Sequence, residues 1–114
     1  MEGLIKGDVV VTPFPFSDFS QLKVRPALVL AILPGNDIIL AEITSQSIKN
    51  DYAVSLKISD FIGTGNLTKE SNIRPEKIHT IERGIIRYKV GTIKPEKLQE
   101  VIDKITEIFQ TDAL

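Results

Sequence analysis

Lys23-Val24-Arg25-Pro26-Ala27-Leu28-Val29-Leu30-Ala31-Ile32-Leu33 starts on two cations and runs into almost unbroken aliphatic side chains. A run so rich in branched residues, and too short to be a membrane span, predicts a strand buried on both faces whose charged first residues lie at a sheet rim. Pro26 fixes the backbone beside Arg25 and removes one ladder donor, which suits the start of a strand or an edge. A guanidinium is always charged and seldom buried alone. Arg25, held at a stiff place on that rim, therefore calls for a carboxylate or a phosphate.

Downstream, Pro34-Gly35-Asn36-Asp37 reads as a turn and residues 37–44 as a second strand, so the pair predicts an antiparallel hairpin. Tight joining sets the start of one strand beside the end of the other. Arg25 is thus expected to meet Ile43-Thr44-Ser45-Gln46-Ser47, a cluster of hydroxyls and an amide. Upstream, Gly7 to Thr12 predicts another strand. Between them, residues 13–22 carry two prolines that argue against regular pairing, and read as a folded loop. Its Phe14 and Phe16 are expected to pack back on the sheet, while Phe19 is open either to packing or to stacking on a base. Tyr52 to Lys57, Leu67 to Ile73, Lys77 to Glu82 and Arg87 to Ile93 predict further short strands, with Gly63-Thr64-Gly65-Asn66 as a turn. Pro95 suits a first helical position, and Leu98, Val101, Ile102, Ile105, Ile108 and Phe109 form one apolar stripe at helical spacing. The expected fold is one domain over residues 1–114, mainly β, a barrel-like antiparallel sheet closed by a C-terminal helix.

With 114 residues, 42% of them hydrophobic and 25% charged, the composition is that of an ordinary globular domain. The absence of cysteine excludes disulfides and thiolate metal sites, and a single histidine argues against zinc, so no cofactor or metal is expected. No run approaches the roughly 20 apolar residues of a spanning helix, and residues 1–8 lack an apolar signal core. A cytoplasmic protein without membrane contact is the expectation. The net charge is -1, but the signs are segregated: residues 58–94 hold seven Lys or Arg against four Asp or Glu, and residues 95–114 hold two against five. A basic middle could meet phosphates and an acidic tail a basic partner, although solvated surface charge gives the same pattern.

Four motifs in order, Gly7-Asp8-Val9-Val10, Pro13-Phe14-Pro15-Phe16-Ser17-Asp18, Lys23-Val24-Arg25-Pro26-Ala27-Leu28-Val29-Leu30 and Ile43-Thr44-Ser45-Gln46, resemble the MazF/PemK toxins of type II toxin-antitoxin systems. The similarity continues through Ser71-Asn72-Ile73-Arg74-Pro75 and Ile78-His79-Thr80-Ile81 to Val90-Gly91-Thr92-Ile93, nearly the whole chain. The resemblance implies an SH3-like antiparallel barrel of the CcdB/MazF type, a homodimer, and metal-independent, sequence-specific cleavage of single-stranded RNA. It also implies a cognate antitoxin whose tail occupies the RNA groove. By the same resemblance Arg25 and Thr44 are the catalytic pair. Gln46 and Ser71 resemble RNA-contacting positions, and Ser20 and Gln21 fall in the loop that reads substrate. An acidic residue often stands in that loop in relatives and is missing beside Ser20 and Gln21, which leaves any acidic assistant to catalysis unassigned.

The chemistry fits these residue types. RNA brings its own nucleophile, the 2′-hydroxyl, so an enzyme has to align it, remove its proton and stabilise the charge that develops. Arg25 can grip two phosphate oxygens in parallel, and Thr44 can donate one more bond. Neither is a good base, because a guanidinium stays charged and a threonine hydroxyl holds its proton. His79, between Ile78 and Thr80 in an alternating segment, is read as structural or surface-exposed, and the base stays unassigned. The expected RNA-binding set is Phe19, Ser20, Gln21, Lys23, Ser45, Gln46, Ser71 and Arg74. Arg83, Arg87 and Lys89 are further phosphate candidates. Two rival readings accompany this one: a binding module without catalysis, and a CcdB-like toxin directed at a topoisomerase through its C-terminal helix.

Overall fold

The computed structural model describes residues 3–15 and 22–112, without the side chains of Pro15 and Leu22. Seven strands, β1 (Asp8–Pro15), β2 (Leu22–Ile32), β3 (Asp37–Thr44), β4 (Val54–Leu56), β5 (Phe61–Ile62), β6 (Ser71–Glu82) and β7 (Tyr88–Ile93), precede one helix, α1 (Pro95–Gln110). They form a single antiparallel sheet in the order β4-β6-β3-β2-β1-β7-β5, curled into a half-barrel. Mainly β, antiparallel and closed at its C-terminus by a helix, this is the fold class expected. Among the described residues no helix is long and apolar enough to cross a membrane.

β2 lies in the middle of the sheet, and its aliphatic run is buried on both faces. Leu28 and Leu30 join Ala41, Ile43 and Ile73 against Val101 of α1, while Ala27 and Val29 join Val10, Phe14, Ile38 and Leu40 on the other face. Alternate residues of one strand thus feed two cores, which is why the run shows no polar alternation. Each fully buried Leu or Ile contributes about 1.5–3 kcal/mol relative to exposure. The β2–β3 turn rests on Gly35, whose φ of +84° lies in the left-handed region that side-chain-bearing residues avoid.

Two expectations change. Pro13 and Pro15 lie inside β1, paired with Val24 and Leu22, and not in a loop. The backbone oxygen of Val11 accepts from Arg87 N at 2.8 Å, so odd-numbered residues of β1 turn their backbone groups toward β7. β7 begins at Tyr88, opposite Val11, and has no residue opposite Pro13 or Pro15. Their missing donors therefore cost no ladder bond. Secondly, the strands expected around Leu67 to Ile73 and Lys77 to Glu82 are one strand, β6, with a register shift that leaves residues 75–77 between the partners of Ala41 and Glu42. Pro75 is buried in that bulge, where a missing N–H is tolerated. The helix α1 buries Val101 fully but leaves Phe109 78% exposed, so the apolar stripe is not covered to its end. Phe16 is outside the described residues, and Phe14 is fully buried as expected.

Candidate functional site

The strand register brings the predicted residues together. Thr12 of β1 faces Arg25 of β2, and Ala27 of β2 faces Glu42 of β3. Two residues on from that pair, Thr44 stands beside Arg25, and Thr44 in turn faces Asn72 of β6. A row of Thr12, Arg25, Thr44 and Asn72 therefore crosses four strands at the rim, with side chains on one face and neighbouring strands about 4.8 Å apart. The next row inward is Val10, Ala27, Glu42 and Arg74.

An open cavity of about 480 Å³ lies over this rim. Lys23, Arg25, Thr44, Ser45, Lys69 and Ser71 line it with polar groups, and Val24, Pro26, Ile43 and Leu67 with apolar ones. Three of the described lining residues are cations and none is a carboxylate. Arg25 is half-buried and reaches the cavity wall, so it is not sealed inside the sheet.

Local hydrogen bonds set the remaining groups. Thr44, 9% exposed, accepts the Gln46 N–H on Oγ1 at 3.2 Å, as a strand-end hydroxyl should. A hydroxyl that accepts through a lone pair keeps its own hydrogen to donate. Asn72 Nδ2 donates to the Gln46 backbone oxygen at 3.0 Å and pins the chain leaving β3. Ser71 Oγ donates to the backbone oxygen of Lys69 at 3.1 Å, which fixes the segment carrying Lys69 over the cavity.

The structure thus gathers Arg25, Thr44, Lys23, Ser45 and Ser71. Gln46 and Arg74 do not line the cavity, although Gln46 bonds Thr44 through its backbone N–H. Arg74 is engaged by Glu76, with Nη2 to Oε2 at 3.1 Å and Nε to Oε2 at 3.3 Å. Lys89, a phosphate candidate from sequence, holds the fully buried Asp8 at 3.2 Å. Phe19, Ser20 and Gln21 lie outside the described residues. Sequence reasoning missed Lys69 and Asn72. Lys69 gives no signal short of the fold.

His79 is paired, as a structural reading requires. Its Nε2 lies 2.6 Å from Glu42 Oε2, and its ring centroid is 5.0 Å from that of Phe14. Among the described residues no three His, Cys, Asp or Glu side chains gather as a metal-binding group.

The family model for PemK-like, MazF-like toxins of type II toxin-antitoxin systems matches residues 5–109. No curated protein matches the chain significantly. Among solved structures, the Mycobacterium tuberculosis toxin MazF-mt6 is 16% identical, with 93% of this chain and 99% of that one covered and a TM-score of 0.71. MazF from Deinococcus radiodurans is 19% identical over 92% of this chain and 94% of its own, with a TM-score of 0.72. An endoribonuclease in complex with its cognate antitoxin, from a mycobacterial species, is 11% identical over 98% and 100%, with a TM-score of 0.72. At these identities the structural likeness speaks for the fold alone.

Proposed function

The chain belongs to the PemK-like, MazF-like toxins of type II toxin-antitoxin systems, and from that premise we propose that it is an endoribonuclease that cuts single-stranded RNA without a metal. The observation that carries this reading is the meeting of Arg25 and Thr44 in an open cavity lined by three cations and, among the described residues, by no carboxylate. A phosphodiester seated there receives two parallel bonds from the guanidinium and one from the hydroxyl, each aimed at the oxygens on which charge develops. Lys23 and Lys69 draw in the flanking phosphates, while Ser45 and Ser71 supply short polar contacts at the edges. Attack by the 2′-oxygen then leaves a 2′,3′-cyclic phosphate on one product and a 5′-hydroxyl on the other.

The protein works in the cytoplasm as a homodimer that a cognate antitoxin silences. An acidic antitoxin segment laid over Lys23, Arg25 and Lys69 competes with RNA for the same charge. The test is to incubate the purified protein with a long single-stranded RNA in EDTA and to map the new ends. Cuts at short recurring sequences with the termini named above are expected, and Arg25→Ala is expected to abolish them. Intact RNA, or an Arg25→Ala protein as active as the original, overturns the proposal.

A further inference from the structure

Beside the cavity over Arg25 and Thr44 a second hollow opens, of about 600 Å³, and the two share Val24, Pro26, Leu67 and Thr68 in their walls. Its floor continues a core face. Along β2, Leu28, Pro26 and Val24 leave the same side of the sheet at every second position, and they pass from fully buried through half-buried to 45% exposed. On β1, Val9 and Val11 follow the same gradient from buried to half-buried. Where the core runs out, an apolar shelf faces solvent.

Tyr88 completes the shelf. It stands opposite Val11, which stands opposite Pro26, so one row crosses from β2 through β1 to β7. Residues directly opposite each other on antiparallel strands share a face, and two strand spacings set Tyr88 about 10 Å from Pro26. Tyr88 is 57% exposed and lines the hollow, so its ring is open to a ligand there. The segment from Asn66 to Thr68 forms the opposite edge. That edge is anchored to the strand carrying Tyr88, because Gly65 comes so close to Val90 that a Cβ on it would strike the Val90 backbone oxygen. Asn66 Nδ2 donates to the backbone oxygen of Thr64 at 3.0 Å, which holds the amide in place.

An aromatic and aliphatic floor with an amide and a hydroxyl at its edge fits a nucleobase, which offers a flat face to stack and polar atoms around its rim. It does not fit a phosphate. Among the lining residues only Lys89 is charged, and Lys89 is held by Asp8. The shared wall says whose base it is: a strand whose phosphates lie on Lys23, Arg25 and Lys69 reaches the shelf across Val24 and Pro26 without leaving the surface.

We propose that this hollow is a base subsite, in which Tyr88 stacks the base of a nucleotide adjoining the scissile phosphate and Asn66 and Thr68 contact its edge. The inference rests on the ribonuclease reading above and gives it a position that sets specificity. Stacking accepts any base, so the choice among bases falls to Asn66 and Thr68.

The experiment measures the affinity of an uncleavable 2′-O-methyl RNA, carrying a mapped cut site, for the wild type, Tyr88→Phe, Tyr88→Leu, Tyr88→Ala and Asn66→Ala. It is repeated with RNAs made abasic at one nucleotide at a time around that site. Tyr88→Phe keeps the ring and is expected to bind within about twofold of the wild type. Tyr88→Ala is expected to bind about tenfold more weakly, within the usual worth of one base on an aromatic ring, and Tyr88→Leu nearly so. On the one RNA that lacks the stacked base, wild type and Tyr88→Ala are expected to bind equally, since both deletions remove the same contact. Asn66→Ala is expected to widen the choice of base at that position among the mapped cuts. A Tyr88→Ala or Tyr88→Leu protein that binds like the wild type, or loses the same factor on every abasic RNA, overturns the inference alone. So does one that keeps its RNA affinity but associates less with itself, which makes the shelf an interface between copies of the chain. Wild-type protein that leaves RNA intact overturns the ribonuclease reading and this inference with it.

Discussion

Replacing Thr44 by valine exchanges a hydroxyl for a methyl group of nearly the same shape, in a side chain 9% exposed, and so isolates what the hydroxyl does. Two bonds change. The first is the one accepted from Gln46 N at 3.2 Å; its loss costs about 1 kcal/mol, which in a domain of this size lowers the melting temperature by roughly 4 °C. The second is the bond donated to the phosphate. Removing one preorganised donor to a developing charge costs about 3 kcal/mol, or roughly 150-fold in rate. The two effects are separable, because a domain with some 5–15 kcal/mol of stability stays almost wholly folded after losing one. Thr44→Ser retains both bonds and should cut within a few-fold of the wild type. The assay is single-turnover cleavage of a labelled single-stranded RNA beside a thermal melt. A Thr44→Val protein that melts lower but cuts at the wild-type rate would refute the reasoning, since the hydroxyl would then be a backbone cap and nothing more.

RNA binding should weaken steeply with salt although the protein carries a net charge of -1. Three cavity cations each meeting one phosphate give a log–log slope near -2, at about 0.7 per phosphate on a single strand. Lys69→Ala should reduce that slope by one such step, while Lys89→Ala, which removes the partner of buried Asp8, should lower the melting point and leave the slope alone; titrations between 50 and 300 mM salt decide it. Gly91→Ala should unfold the protein or lower its melting point by ten degrees or more, because a Cβ there would strike the backbone oxygen of Gly65 and the Phe61 ring. A Gly91→Ala protein that melts like the wild type would mean that this crossing of chains is loose.

What was legible in the sequence follows from the range of the forces involved. The central strand, the β2–β3 hairpin and α1 are written in local patterns, an apolar run, a turn with its glycine and a helical stripe, and the hairpin alone suffices to bring Arg25 to Thr44. Pro13 and Pro15 misled because a proline's cost depends on whether a neighbouring strand needs its donor, and β7 stops one pair short of needing it. The merging of two short strands into β6 was illegible for a similar reason. Pro75 breaks the ladder locally, yet the partner strand β3 resumes pairing on either side of the bulge. Partner choice among charges was hidden too. Arg74 and Lys89 look like phosphate ligands in a basic segment until the fold hands each of them a carboxylate.

That pairing explains how a protein with more acids than bases can hold an anion site. Lys89 is matched by Asp8, Arg74 by Glu76, Lys97 by Asp60 and Glu100, and Lys104 by Glu107. Each match removes a positive charge from the far field, because opposite charges a few ångströms apart look neutral beyond the Debye length of about 8 Å. Lys23, Arg25 and Lys69 line the cavity, and none of its described lining residues is a carboxylate. Apolar walls from Val24, Pro26, Ile43 and Leu67 lower the local dielectric and focus what charge remains. Five of the fifteen acids lie on α1 and just beyond it, where they repel a polyanion from that face. Net charge is therefore a poor guide to this protein's ligand, and the make-up of the cavity wall is a better one.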